Sequence, residues 1–133
     1  MLNGLTILVV EDEPMLAMDL VSAIADLDGC AIGPVDTVAE ALALLKTQAV
    51  AAAILDANLR DSDVTPLALT LVEQSVPFVV YTGRGLPTEL AARHPDLPVV
   101  MKPARSTTVL AALLQQVSPD RALLDPDRFD DLV

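Results

Sequence analysis

Five short apolar segments in this chain alternate with segments in which apolar residues recur every three or four positions. Short runs rich in β-branched residues indicate strands that are buried on both faces, and the longer spacing indicates amphipathic helices. Strands that alternate with helices pair in parallel, because each helix returns the chain to the starting edge of the sheet. The sequence therefore predicts an α/β fold, a five-stranded parallel sheet with helices on both faces.

The predicted elements occupy most of the chain and leave no interior linker or repeat. The strands are expected at residues 5–10, 30–35, 50–55, 76–81 and 97–101. Helices are expected between successive strands, and a final amphipathic helix is expected at 106–117. The chain has 133 residues, which suits one domain over residues 1–118. Residues 119–133 are predicted to form an acidic tail or a short extra helix.

Composition excludes several classes of partner. The net charge is −11, which disfavours binding to nucleic acid or to an anionic membrane surface. No apolar run approaches the roughly 20 residues that span a bilayer, and the amino terminus lacks the basic start of a signal peptide. The single cysteine, Cys30, excludes an intrachain disulfide and is expected to be buried and inert. We therefore expect a cytoplasmic protein with an aliphatic core.

Polar side chains follow four of the five predicted strands. The acidic run Glu-Asp-Glu at 11–13 follows the first strand, Asp56 the third, Thr82 the fourth and Lys102 the fifth. The carboxyl ends of parallel strands meet at one edge of a sheet, and ligands bind there. The sequence therefore predicts that these groups converge.

The predicted set is chemically coherent. Carboxylates held close together repel one another unless a cation joins them, and Mg²⁺ prefers oxygen ligands. A carboxylate can attack phosphorus to give an acyl phosphate, and an ammonium and a hydroxyl group offset the added charge. Taken singly, Asp56 or Thr82 could be a turn residue, the run 11–13 could favour a helix start, and Lys102 could be solvated. The prediction of a phosphoryl site therefore rests on finding all of these groups together at four strand ends.

Four segments together resemble the receiver domain of two-component response regulators. They are Ile-Leu-Val-Val-Glu-Asp-Glu-Pro at 7–14, Ala-Ile-Leu-Asp-Ala-Asn-Leu at 53–59, Val-Val-Tyr-Thr-Gly at 79–83 and Met-Lys-Pro at 101–103. The resemblance spans roughly residues 3–118. It implies the flavodoxin-like, doubly wound fold of CheY-like receivers, here as a stand-alone domain that carries no output domain.

The resemblance implies a magnesium site and a phosphoacceptor. Asp56 corresponds to the phosphoacceptor aspartate. Asp12 corresponds to the direct Mg²⁺ ligand, and Glu11 is expected to act through water. Asp56 itself and the backbone carbonyl of Asn58 would complete the protein ligands of the ion.

The resemblance also implies how the phosphoryl group is held. Thr82 would donate its hydroxyl to a phosphoryl oxygen, and Lys102 would pair with the same group. The Lys102–Pro103 peptide is expected to be cis, as it often is in the family.

One switch position departs from the family. Many receivers carry Tyr or Phe three residues before the lysine, where this sequence has Val99. Tyr81 should point to the face opposite Thr82 and is not expected to replace that ring. We therefore expect the loop at 83–87 to move more than a ring does.

The implied function is phosphoryl transfer in signalling. A histidine kinase or a histidine phosphotransfer protein would donate the phosphoryl group to Asp56, and the signal would pass to a downstream protein, onward by phosphorelay, or end in a phosphate sink. We expect no enzyme activity and a monomer or weak homodimer. One alternative is a binding module that works without phosphorylation, which Val99 mildly favours. A hydrolase with an aspartate nucleophile would need an acid at position 58, where Asn58 stands.

Overall fold

The computed structural model describes the backbone of residues 2–124 and the side chains of residues 2–117. The strands are β1 (Thr6–Val10), β2 (Cys30–Val35), β3 (Ala52–Leu55), β4 (Phe78–Thr82) and β5 (Val99–Met101). The helices are α1 (Pro14–Asp26), α2 (Val38–Thr47), α3 (Thr65–Glu73), α4 (Thr88–Arg93) and α5 (Ser106–Leu124). The alternation of strands and helices that the sequence predicts is confirmed.

All five strands pair in parallel, in the order β2-β1-β3-β4-β5. The first strand lies between the second and third, so the order of connection reverses beside β1. In open α/β sheets, the cleft at such a reversal is where ligands bind. The residues directly after β1 and β3 are Glu11 and Asp56, and both lie at this cleft.

Each face of the sheet carries its own core, because alternate residues of a strand point to opposite faces. Leu8, Val10 and Leu55 pack on the side of α2, α3 and α4. Val9 and Ile54 pack on the side of α1 and α5. Strands that are buried on both faces explain the nearly continuous apolar runs of the sequence.

Three strands, β3, β4 and β5, begin two residues later than predicted, and two of them follow a proline. The strands β4 and β5 begin two residues later than expected, directly after Pro77 and Pro98. Proline lacks the N–H group that a sheet ladder needs, so each strand begins after it. The fourth helix is short, with six residues.

Two further details of the prediction need correction. Cys30 is exposed rather than buried, because it begins β2, which is an edge strand of the sheet. The last helix continues to Leu124, beyond the predicted end at 117. Of the tail predicted over 119–133, residues 125–133 lie outside the described part of the chain. Within the described residues, no helix is both long and apolar enough to cross a membrane.

Candidate functional site

The acidic run lies between β1 and the start of α1. The Glu11 amide donates to the Val35 carbonyl oxygen at 3.0 Å, which extends the pairing of β1 with β2 by one residue. The Glu11 side chain is only 2% exposed, and its Oε2 accepts the Glu13 amide at 3.1 Å. Pro14 then begins α1, where its missing N–H costs no hydrogen bond. The turn therefore points three successive acids into and around the cleft.

Asp56 lies at the end of β3, against the acidic run. Its amide donates to the Val10 carbonyl oxygen at 2.8 Å, and its side chain is buried. The Asn58 amide approaches Asp56 Oδ1 at 3.4 Å. One carboxylate oxygen from each of four residues lies within 4.8 Å of the others, and we call these four the acidic site: Glu11, Asp12, Glu13 and Asp56.

Lys102 supplies the cation that faces the acidic site. Its Nζ lies 2.9 Å from Glu13 Oε2, 3.1 Å from Glu11 Oε1 and 3.5 Å from Asp56 Oδ2. The same ammonium lies 5.3 Å from the centroid of the Tyr81 ring, within the range of a cation–π contact. The Lys102–Pro103 peptide is cis, which confirms the sequence-based expectation.

The electrostatics show that one ammonium does not compensate four carboxylates. Burial and the neighbouring Asp56 charge raise the pKa of Glu11 to about 7. Burial and a close contact with Asp56 also raise the pKa of Asp12. Burial alone would lower the pKa of Lys102, but hydrogen bonds to Glu13 and Glu11 outweigh burial and raise it. The site therefore favours the arrival of a further cation.

The residues present fit Mg²⁺. Opposite ligands of an octahedral Mg²⁺ ion stand about 4.2 Å apart, from bond lengths of about 2.1 Å. The 4.8 Å spread of the four carboxylate oxygens is close to that distance, and a small adjustment of side chains would bring several of them onto one ion. All four donors are hard oxygen atoms, the type that Mg²⁺ selects over nitrogen or sulfur.

A hydroxyl group completes the site. Thr82 ends β4 and is almost fully buried, and its Oγ1 accepts the Arg84 amide at 3.1 Å. Because the oxygen accepts that bond, the hydroxyl hydrogen stays available to a ligand. Thr82 lines the same open depression as Asp56, Asn58 and Lys102.

The residues near the switch position divide between the two faces of the sheet. Val99 pairs with Val80 and packs on the α2–α3–α4 side. Tyr81 packs on the opposite side, as expected from its position next to Thr82. Its hydroxyl donates to the Ala104 carbonyl oxygen at 2.9 Å and accepts the Ala104 amide at 3.2 Å. Tyr81 is therefore fixed against the segment that precedes α5 and is not free to take the place of an aromatic ring at 99.

Comparison with solved structures identifies the family. SdrG from Sphingomonas melonis Fr1 is 42% identical, with a TM-score of 0.70, over 86% of this chain and 99% of that chain. A response regulator receiver protein from Sinorhizobium medicae WSM419 is 27% identical, with a TM-score of 0.74, over 89% of this chain and 98% of that chain. This chain belongs to the response regulator receiver family.

A third solved structure shows the shared fold at lower identity. The receiver domain of the sensor histidine kinase PA1611 from Pseudomonas aeruginosa PAO1 is 19% identical, with a TM-score of 0.74. The match covers 86% of this chain and 98% of that chain, and that structure has a magnesium ion coordinated in its active site cleft. No protein-family model matches this sequence, and no curated protein matches it significantly.

The receiver structure brings together every residue that the sequence singled out at the strand ends. The roles assigned to Asp56, Asp12 and Thr82 stay predictions, since geometry alone does not test them. The sequence placed Glu13 in the acidic run but gave it no role, and it did not single out Asp61. Glu13 makes the shortest contact with Lys102, and Asp61 accepts hydrogen bonds from the amino end of α2. The acidic run was the only signal for Glu13, and nothing in the sequence signals the long-range contact of Asp61.

Proposed function

We propose that this receiver accepts a phosphoryl group on Asp56 from a phosphohistidine of a histidine kinase or a histidine phosphotransfer protein. One observation carries the proposal. Lys102 Nζ lies 3.5 Å from Asp56 Oδ2, inside a site that also contains Glu11, Asp12 and the Thr82 hydroxyl. A carboxylate that acts only as a turn residue needs neither a facing ammonium nor a second buried acid.

The proposed reaction uses groups that the described residues provide. An Asp56 carboxylate oxygen attacks phosphorus, the new O–P bond forms, and the P–N bond to the donor histidine breaks. The imidazole nitrogen of the donor keeps the electron pair of that bond. Lys102 and the Thr82 hydroxyl offset the charge of the transferred group. Mg²⁺, when bound by Asp12, Asp56 and the Asn58 carbonyl with Glu11 acting through water, supplies positive charge for the phosphoryl oxygens.

The proposed output is a change of surface rather than catalysis. An acyl phosphate on Asp56 biases two conformations of the receiver, and a downstream protein binds one of them. With Val99 at the switch position, the loop at 83–87 carries the change, and Gly85 in this loop has a φ of +84°. Onward phosphotransfer and loss of phosphate as a sink are two further routes for the same group. We propose that the protein works in the cytoplasm and turns over no substrate as an enzyme.

A receiver-like binding module that works without phosphorylation is the second candidate. Val99 favours it, because an aromatic side chain that usually couples phosphorylation to the surface is missing at this position. The acidic site with its facing Lys102 favours phosphorylation.

The experiment is incubation with acetyl phosphate and Mg²⁺, followed by intact-protein mass measurement. We expect the mass gain of one phosphoryl group, no gain in Asp56→Ala, and a normal gain in Asp96→Ala. Asp96 is a matched control because it is exposed and precedes β5, at the opposite edge of the sheet. No gain in the wild-type protein, or an equal gain in Asp56→Ala, would favour the binding module. In a separate assay, steady turnover of a phosphate ester would favour a hydrolase.

A further inference from the structure

Glu13 is an acid of the site to which the proposed function gives no role. Its Oε2 lies 2.9 Å from Lys102 Nζ, which is the shortest of the three carboxylate contacts of this ammonium. The Glu13 amide donates to Glu11 Oε2 at 3.1 Å, and Pro14 follows at once as the start of α1. The backbone of Glu13 is therefore held in place, and its side chain reaches Lys102 from a fixed position.

The contacts of Lys102 are unequal in kind as well as in distance. The ammonium donates hydrogen bonds to Glu13 Oε2 at 2.9 Å and to Glu11 Oε2 at 3.3 Å. Its 3.5 Å contact with Asp56 is an ion pair without hydrogen-bond geometry. An ammonium has three hydrogens to donate. Glu11 and Glu13 take two of these hydrogens, so a phosphoryl group on Asp56 that accepts more than one hydrogen bond from Lys102 would compete with them.

The two competing acids differ in how easily they release the ammonium. The Glu11 side chain is 2% exposed, so the loss of its cation would leave a buried charge unpaired. The Glu13 side chain is 59% exposed, and water can replace the ammonium there. Glu13 is therefore the acid from which Lys102 can be released at low cost.

We propose that Glu13 is a positioning residue that holds one hydrogen of the Lys102 ammonium until a phosphoryl group on Asp56 competes for it. This inference rests on the proposed phosphoacceptor function. The Glu13–Lys102 pair lowers the affinity of the site for a phosphoryl group, because Glu13 must release one hydrogen of Lys102 before the ammonium can donate a second hydrogen bond to that group. An ion pair with one largely exposed member changes an equilibrium by about two- to fivefold.

The test compares Glu13→Gln and Glu13→Asp with a matched control, Glu73→Gln. Asp at 13 keeps the charge but is one methylene shorter, so it separates reach from net charge. Glu73 is the last residue of α3, is exposed and has the same charge change. Affinity for beryllofluoride with Mg²⁺ reports on the phosphoryl site. Selective ¹⁵N labelling of lysine reports on the ammonium directly, because Lys46 and Lys102 are the two lysines of the sequence and Lys46 is exposed.

We expect Glu13→Gln to bind beryllofluoride about two- to fivefold more tightly and to shift the Lys102 ammonium signal but not that of Lys46. Glu13→Asp should also bind beryllofluoride more tightly and shift the Lys102 ammonium signal in the same direction as Glu13→Gln. Glu73→Gln should match the wild-type protein in both measurements. Unchanged beryllofluoride affinity in Glu13→Gln would overturn this inference and leave the proposed function intact. An equal gain in Glu73→Gln would overturn it as well, since net charge would then explain the effect.

Two other outcomes bear on the metal and on the function. A fall of tenfold or more in Mg²⁺ affinity in Glu13→Gln, with weaker beryllofluoride binding, would overturn the inference by making Glu13 a metal ligand. If the wild-type protein binds no beryllofluoride at all, both the inference and the proposed function fail together.

Discussion

The four carboxylates of the acidic site and the single carboxylate of Asp61 have different surroundings. In the acidic site, four carboxylates share one ammonium, and the pKa of Glu11 is raised to about 7 by burial and by the Asp56 charge. In the loop between β3 and α3, Asp61 accepts the Val38 and Ala39 amides at 2.9 and 3.0 Å. Those two hydrogen bonds lower the pKa of Asp61.

The difference shows which acids serve the fold and which serve a ligand. The amino end of α2 is satisfied by protein groups, because Thr37 accepts the Glu40 amide at 3.1 Å and Asp61 accepts the two amides before it. At the amino end of α1, the capping residue Glu13 makes no side-chain hydrogen bond to the helix. Asp61 therefore completes a local hydrogen-bonding pattern, whereas the acidic site is left with an excess of negative charge that a cation would relieve.

Of the substitutions that distinguish the acidic site from Asp61, Asp56→Asn should change the free energy of unfolding the most. Removal of one charge from the crowded acidic site relieves repulsion with Glu11 and Asp12, while Lys102 keeps its two shorter contacts. We expect the free energy of unfolding to rise by about 1 kcal/mol. Urea unfolding at pH 7 with a metal chelator measures the change.

Mg²⁺ should reduce or reverse the stability difference between Asp56→Asn and the wild-type protein. Ligand binding to the folded state stabilises it by about 1.4 kcal/mol at ten times the dissociation constant, and Asp56→Asn loses one of the proposed ligands. The wild-type protein should therefore gain more stability from Mg²⁺ than Asp56→Asn gains. If Asp56→Asn were less stable than the wild-type protein in chelator, the acidic site would not carry the excess negative charge that we infer.

A smaller effect of opposite sign is expected from Asp61→Asn. The neutral amide keeps one acceptor oxygen but loses the charge and the second acceptor that hold the Val38 and Ala39 amides. We expect this variant to be less stable than the wild-type protein at pH 7, by less than the Asp56→Asn change. Urea unfolding under the same conditions measures it, with Asp19→Asn as control. Asp19 is exposed on α1, and its side chain accepts no hydrogen bond from the described residues.

The effect at Asp61 should depend on pH in a defined direction. The folded-state pKa of Asp61 is lowered from its ordinary value of 3.8, so the folded protein binds a proton less readily than the unfolded chain. The stability from Asp61 is therefore present above 3.8 and is lost as pH falls through the lowered folded-state value. The difference between the wild-type protein and Asp61→Asn should shrink in acid. A difference that grows as pH falls would contradict the assignment of Asp61 as a charged cap.

The sequence predicted the sheet and the strand-end residues because both depend on short-range patterns. Asp56 and Lys102 each follow an apolar run directly, and the carboxyl ends of parallel strands meet by geometry. The burial of Cys30 was predicted wrongly, because an apolar segment does not show whether its strand lies at the centre or the edge of the sheet. Strand order depends on the whole chain, and so does the exposure of that thiol.

The contacts of Glu13 and Asp61 were beyond the reach of sequence patterns for a related reason. The partner of Glu13 is Lys102, which is 89 positions away, and Asp61 contacts amides 22 and 23 positions away. Such contacts depend on side-chain direction and on the path of a loop, and neither leaves a periodic trace. The site could be located from the sequence, but the division of its acids between ligand and fold required coordinates.

We propose that four strand ends form one Mg²⁺-dependent phosphoryl site around Asp56. The most direct measurement is backbone amide NMR of the free receiver, then with Mg²⁺, then with beryllofluoride. We expect Mg²⁺ to shift residues 11–13 and 56–58, and beryllofluoride to extend the shifts to residues 82–85 and 102, with no beryllofluoride response in Asp56→Ala. A beryllofluoride response that persists in Asp56→Ala, or no response to Mg²⁺ at these positions, would show that these strand ends do not form such a site.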